Sequence, residues 1–348
     1  MWPQARGSDT GMEHILRIGK ITENALKRSV LKQIRTDGKH GEPEDAVTAA
    51  DCAFLADGKT AVTADPVTLP ARIAGRLAVI AAVNDLWSGG AVPETVTTVV
   101  LLPPGTPEEE LRRLEQQIAD TCREEQVKAA GGHTEVTAAV TRPVITAAGV
   151  GCALRPQTGR QETAALEGME IVASKYIALE GTAILAMEKG GDLQKRFAAE
   201  FLERSCHFAD VLSVAPEARI ALEQGAVLLH DASEGGILAA LWTLAQKAGT
   251  GLDVDLKKIP VRQETIEIAG FFDIDPYRME SAGCLLMVSG EGQKLAEELE
   301  SRGIPASVIG KLTGSRDRIL RSGDEIRFLE RPQPDALLEV VGMPEGMC

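Results

Sequence analysis

The stretch from Ala61 to Pro93, AVTADPVTLPARIAGRLAVIAAVNDLWSGGAVP, constrains this chain more than any other. It opens as a short apolar strand that ends at Asp65, before Pro66. A helix is expected from about Pro70 to Trp87, with an apolar stripe at Ile73, Leu77 and Ile80 in steps of four and three. The next position on that stripe is Asn84, whose amide needs partners if it faces a core. Asp85 follows it, and Ser88-Gly89-Gly90 breaks the helix. One carboxylate therefore leaves a strand end, and an amide and a second carboxylate leave a helix end. A hard cation such as magnesium, held by a few carboxylates plus phosphate oxygens, suits that arrangement. The plainer alternative is that Asp65 caps a turn and that Asn84-Asp85 only terminate a helix.

A second junction of the same kind lies in the other half. Ala226 to Leu229 is a continuous apolar run of the sort found in central strands, followed by His230-Asp231-Ala232-Ser233-Glu234-Gly235-Gly236 and a helix to about Lys247. Helix N-termini bind anions through free N–H groups and the dipole. Taken singly, His230 fits a packed core histidine and Asp231 a cap.

The elements between these junctions alternate strand and helix. Met12 to Gln33 reads as an amphipathic helix with a basic face, and Thr36 to Asp57 as a loop carrying Asp45 and Asp51 into a short strand. Thr95 to Leu102 is a strand. A helix follows with Thr106 as N-cap, Pro107 at its first position and Glu109 completing a capping box. Its buried stripe is Leu111, Leu114, Ile118 and Cys122, with Glu108–Arg112 and Glu109–Arg113 pairs outside. Val127 to Ala130 leads into a loop, Gly131-Gly132-His133-Thr134-Glu135, where paired glycines let the backbone approach a ligand. Val144 to Val150 ends in Gly149-Val150-Gly151.

Later, Ile171 to Ser174 reads as a strand and Leu179 to Thr182 as a helix start. Leu193, Phe197, Phe201, Phe208 and Leu212 mark one long buried helix face, and Pro216 to Gln224 another helix. Leu252 to Leu256 and Cys284 to Val288 are strands, Asp275-Pro276 opens a helix, and Ala306 to Glu330 closes a sheet.

The length of 348 residues accommodates about two domains. With aromatics at 3% and hydrophobic residues at 44%, the cores must be built from Ala, Val, Leu and Ile. A net charge of -14 argues against a general nucleic-acid or anionic-membrane surface, but not against nucleotides bound through amides and metals. No apolar run is long enough to span a membrane. The start lacks the form of a signal peptide, and six scattered cysteines read as reduced thiols. The expectation is a soluble cytoplasmic protein with no nucleic-acid or membrane partner.

Five motifs in order carry a resemblance. They are Thr63-Ala64-Asp65, Asn84-Asp85-Leu86 with Gly90-Ala91-Val92-Pro93, Gly131-Gly132-His133-Thr134, Gly149-Val150-Gly151, and the His230 to Gly236 run. From about Ile15 to Glu330 the chain resembles the aminoimidazole ribonucleotide (AIR) synthase superfamily. In motif order it looks most like that superfamily's hydrogenase-maturation (HypE) branch.

The resemblance implies an α/β (α+β) chain of two AIR synthase-like domains, one with a mixed sheet and helices and one α/β. After a flexible leader at 1–14, an ATP- and metal-binding domain spans 15–154. A linker at 155–168 leads to the second domain at 169–335, and a tail at 336–348 ends in Cys348. Implied metal ligands are Asp51, Asp65 and Asp85, with Asp45 an alternative to Asp51. The implied nucleotide side is Asp65, Asn84, Gly131, Gly132, Thr134, Gly149, Gly151, Gly235 and Gly236, and the implied catalytic groups are His133, Glu135, Asp231 and Cys348.

The implied cofactors are ATP and Mg2+. The implied chemistry is phosphorylation of a carboxamide-type oxygen, on a small molecule or a protein-bound group, with Cys348 as a carbamoyl acceptor. A homodimer through the first domain and a maturation partner protein belong to the same picture. Three positions depart from the branch. The tail reads Pro344-Glu345-Gly346-Met347-Cys348 instead of ending Pro-Arg-Ile-Cys, His133 replaces an aspartate, and Ser281-Ala282-Gly283 lacks a glutamate that Glu280 only approaches. Alternative readings are a small-molecule kinase of the thiamine-monophosphate type, marked by a stable phosphorylated product, and a nucleotide-binding accessory protein without turnover.

Overall fold

The computed structural model describes residues 16, 18–34, 50–154 and 163–342. The leader at 1–14, Asp45, the linker residues 155–162 and Cys348 lie outside the described residues. The fold is mixed α/β with two sheets, as the motif order implies. The first sheet contains β1 (Ala53–Phe54), β2 (Thr60–Val67), β3 (Ala91–Leu102), β4 (Lys128–Val136) and β5 (Val144–Ala153). Their order is β1-β2-β5-β3-β4, with β3–β4 parallel and the other pairs antiparallel.

The second sheet contains β6 (Glu170–Ser174), β7 (Leu228–Ala232), β8 (Gly251–Asp255), β9 (Cys284–Ser289), β10 (Ala306–Thr313), β11 (Arg318–Ser322) and β12 (Glu325–Phe328). Their order is β12-β11-β8-β10-β6-β9-β7. The described helices are α1 (Glu23–Leu26), α2 (Lys32–Ile34), α3 (Ala74–Ser88), α4 (Glu108–Glu124), α5 (Leu179–Glu188), α6 (Gly190–Leu193), α7 (Ala199–Cys206), α8 (Ala215–Glu223), α9 (Gly236–Ala248), α10 (Gln263–Phe271) and α11 (Gly292–Ser301).

Several local expectations are corrected by context. Strand β2 runs through Pro66 to Val67, because Pro66 lies beyond the two residues that pair with β1 and needs no donor on that outer side. The Gly131 to Glu135 stretch is a strand, not a loop, since it pairs with β3 from Thr98 onward. Helix α4 starts one turn position late: Pro107 is its N-cap, Thr106 bonds back to the Pro103 carbonyl, and no capping box forms. Arg113 pairs with Glu110 and not with Glu109, whereas Glu108–Arg112 is present.

The long helix face from Leu193 to Leu212 is divided among α6, α7 and a 3-10 turn at His207–Val211. The first described helix begins at Glu23, where Thr22 accepts a hydrogen bond from the Ala25 amide.

Helix α3 is the pivot of the molecule. One apolar stripe was expected of it; instead 12 of its residues are buried. A helix that is apolar nearly all round has two neighbours to bury against. One is the first sheet. The other is the second half of the chain, whose Val172, Val214, Ala218, Leu285 and Met287 share a single core with Ala78, Ala82 and Val83. Strand β7 is consequently an edge strand, not a central one, and its apolar character reflects cover by α9 and α3.

Candidate active site

The joint between the halves is closed by Asn84. It is fully buried, its amide NH2 donates to the Leu212 carbonyl at 3.0 Å, and its side-chain oxygen accepts from the Val214 amide at 2.9 Å. Its amide group thus donates to and accepts from the second half, and so clamps the two halves together. Ser213–Glu125 at 2.8 Å and Arg76 to the Ala209 carbonyl at 2.9 Å reinforce the same seam.

One helical position further, Asp85 turns to the mouth of the seam. Thr63 on β2 donates to Asp85 Oδ2 at 2.5 Å and also reaches the Asp51 carbonyl at 3.2 Å. Desolvation in the cleft, then the charges of Asp231, Asp65 and Asp51, push Asp85 well above the usual carboxylate range, and Asp65 is also its hydrogen-bond partner. Asp231 at the end of β7 is 4% exposed; burial and then Asp51 raise it to about 6. Four acids from a loop, a strand end, a helix end and an edge strand therefore face one another across both halves. Like charges gathered in one place disfavour the ionised form, and a cation between them relieves that repulsion.

Asp51 behaves differently from the others. Its Oδ1 lies 2.7 Å from His230 Nδ1, and its Oδ2 accepts from Lys247 Nζ at 2.7 Å. Burial would raise it, but His230 and Lys247 outweigh burial and hold it down at about 2. Asp51, His230 and Asp231 come within 4.8 Å of one another, the spacing of a metal group. Since Asp51 already has a donor on each oxygen, Asp51, His230 and Lys247 form an ion-pair network bordering Asp65, Asp85 and Asp231. Those three fit a hard divalent cation by donor chemistry, since all offer carboxylate oxygens.

The glycine motifs occupy other places. Along the first sheet Asp65 is paired with Ala147, Ala147 with Thr98, and Thr98 with Gly132. Gly132 thus lies three strands from Asp65, about 14 Å at normal strand spacing. All of β4 is exposed, with His133 and Glu135 paired to each other at 3.0 Å and Thr134 to Glu115. A cavity of about 270 Å³ lies against this stretch, lined by Val96, Thr98, Glu115, Ile118, Cys122 and Gly131 to Thr134 among others.

Gly149 and Gly151 serve packing. A Cβ on Gly149 would meet Leu86 and Ala82 of α3, and one on Gly151 would meet the Val92 carbonyl at 2.6 Å. Gly235 and Gly236 have φ of +80° and +67° and open α9, but the Gly235 amide is already taken by Asp335 Oδ2 at 2.7 Å. The anion on that helix start is the chain's own.

The sequence reading missed a second acidic group beside the first. Glu180, Glu234, Glu280 and Asp335 face one another behind the α9 start. Burial, then Asp335, raises Glu180 to about 7, burial raises Asp335 to about 6, and burial with Glu180 lifts Glu280 well above its usual range. Lys20 stands between the two groups. Desolvation lowers it, but Glu234, Asp65, Asp85 and Glu280 together raise it. Lys247 was missed too, although it is the one charged side chain on α9.

Comparison with known proteins places this geometry in a class. Residues 49–153 match the N-terminal domain, and residues 167–322 the C-terminal domain, of AIR synthase related proteins. The chain belongs to that family. Within it, a Methanocaldococcus jannaschii protein named as a hydrogenase expression/formation protein is 27% identical over 310 residues, 85% of this chain and 88% of that one. The carbamoyl dehydratase HypE of Rhodobacter capsulatus is 28% identical over 275 residues, covering 77% and 78%.

Among solved structures, the chain from a HypE–HypF complex has a TM-score of 0.70 at 23% identity, covering 87% of this chain and all of that one. HypE in complex with ATP has a TM-score of 0.67 at 21% identity, covering 90% and 92%. At those identities the likeness is one of fold. No described helix is long and apolar enough to cross a membrane.

Proposed function

We propose that this chain is an ATP- and magnesium-dependent enzyme of the HypE kind, phosphorylating a carboxamide-type oxygen in hydrogenase maturation. The observation that carries the reading is the convergence of Asp65, Asp85 and Asp231 from both halves of the chain. The names of the relatives, and the ATP complex of a protein with this fold, support it.

A magnesium ion held there would neutralise phosphate charge and align it for in-line attack. Asp65, Asp85 and Asp231 would hold the cation, and Thr63 fixes the Asp85 carboxylate. Asn84 keeps the halves, and so the acids, in register. Glu180 and Glu280, with their raised affinity for protons, are the groups able to carry a proton at neutral pH. The carboxamide oxygen, once phosphorylated, leaves as phosphate while its nitrogen gives up two protons, so that a nitrile forms as the C–O bond breaks.

Cys348 is the proposed carbamoyl acceptor. The exposed outer strand β4, with His133 and Glu135, is the proposed homodimer edge, and a cytoplasmic maturation protein the proposed partner; a HypE–HypF complex supports such a partner. The test is calorimetry of ATP with and without magnesium, followed by the mass of the C-terminal peptide after incubation with ATP and a carbamoyl donor. Magnesium-dependent binding and a modified peptide are expected. Absence of ATP binding overturns the reading, and unchanged turnover in Cys348→Ser removes the cysteine from it.

A further inference from the structure

We propose that Lys247 is a resident cation of the cleft: its ammonium holds Asp51 where a divalent ion would otherwise sit, leaving Asp65, Asp85 and Asp231 to face the metal. The inference rests on the proposed metal site and refines it.

Three observations converge on it. First, both Asp51 oxygens are engaged, Oδ1 by His230 Nδ1 and Oδ2 by Lys247 Nζ, each at 2.7 Å. Second, Lys247 Nζ also donates to the Leu229 carbonyl at 2.9 Å, so two of its three protons are committed to fixed acceptors. Its side chain is 14% exposed and that of Asp51 5%, so water does little to screen the pair. Third, the partners come from separate elements: the loop before β1, the end of β7 and the last turn of α9. An ammonium held by acceptors from two separate elements costs little further ordering to keep in place. Ligand atoms of Asp51, His230 and Asp231 lie within 4.8 Å of one another, a spacing at which three side chains could hold a divalent ion.

Lys247 is therefore a positioning residue. It sets how many divalent ions the cleft takes and keeps them on the side of Asp65 and Asp85.

The test counts Mn2+ bound in the presence of a non-hydrolysable ATP analogue, by electron paramagnetic resonance, in wild type and Lys247→Met. Thermal midpoints with and without Mn2+ are taken alongside. Wild type should bind one Mn2+ per chain. Lys247→Met should bind a second, with a midpoint that is lowered in metal-free buffer and recovered by Mn2+, because a divalent ion then takes the ammonium's place. Two Mn2+ in wild type, or an unchanged count in the variant, overturns the proposal. Failure of Lys247→Met to fold both with and without Mn2+ counts against it equally, since the metal has then not replaced the ammonium. Absence of any Mn2+ from wild type is a separate result: it removes the metal site itself, and this inference with it.

Discussion

The cleft and the outer strand β4 are both rich in glycine and polar groups, yet they do opposite things with them. In the cleft, acids stand at the ends of elements, where the backbone turns and side chains from both halves can meet. On β4 the polar groups lie in the middle of a strand, so their directions alternate and they meet only near neighbours: His133 finds Glu135, and Thr134 finds Glu115. Burial separates the two regions further. Asp231 is 4% exposed and strongly perturbed, while the His133 and Glu135 side chains are 62% and 46% exposed. Crowded charge shielded from water can drive cation binding; the same charges in water cannot.

The comparison breaks first at Asp85. Asp85→Ala is expected to weaken magnesium-dependent ATP binding in calorimetry by more than the roughly hundredfold typical for loss of a group behind a metal ligand. An unchanged affinity would make the cleft a structural acid cluster no different in kind from β4. Next comes the clamp that builds the cleft. Asn84→Leu leaves the Leu212 carbonyl and the Val214 amide unpaired in a dry seam, and should cost about 3 kcal/mol in urea unfolding. Full stability in that variant would mean the halves are held by their apolar contacts alone.

The same contrast explains what could be read in the sequence. Element ends were visible at Asp65, at Asn84-Asp85 and at His230-Asp231, because an apolar run that gives way to polar residues has a local physical cause. The need of Asn84 for partners was equally plain; that the partners are Leu212 and Val214 was not, since they lie 128 and 130 residues away. Gly131 to Glu135 looked like a loop because paired glycines favour turns, and pairing with β3 overrode that preference. Lys247 and the Glu180 group left only faint signals. One charge on an otherwise apolar helix marks Lys247, while Glu180, Glu280 and Asp335 are far apart in sequence and are brought together only by the tertiary fold.

The Glu180 group extends the cleft's character to a smaller effect that depends on pH. Glu180 is raised to about 7 by burial and Asp335, so the folded chain holds a proton that the unfolded chain, with an ordinary glutamate near 4.5, releases earlier. Where the folded state binds more protons, stability falls as pH rises. The loss should therefore run from about pH 4.5 to about pH 7 and amount to about 2 kcal/mol once partial exposure and coupling are allowed for. Thermal scans across that window should show the slope in wild type and a flatter one in Glu180→Gln. Equal slopes would leave Glu180 no more perturbed than a surface acid.

The smallest effect is expected on β4. His133→Ala removes an exposed pair three strands from Asp65, and such pairs contribute little. Its ATP affinity in calorimetry should stay within about twofold of wild type, the scale of an exposed ion pair. If the outer strand serves self-association instead, a charge at its exposed end should matter more. Val136→Lys, at a residue 61% exposed, places a solvated ammonium where a second strand would pair, and light scattering should report a smaller particle at unchanged ATP affinity. A large loss of ATP binding in His133→Ala would erase the distinction between the two regions. It would mean that β4 reaches a cleft after all, and since its own lies about 14 Å away across the sheet, that cleft would have to belong to another copy of the chain.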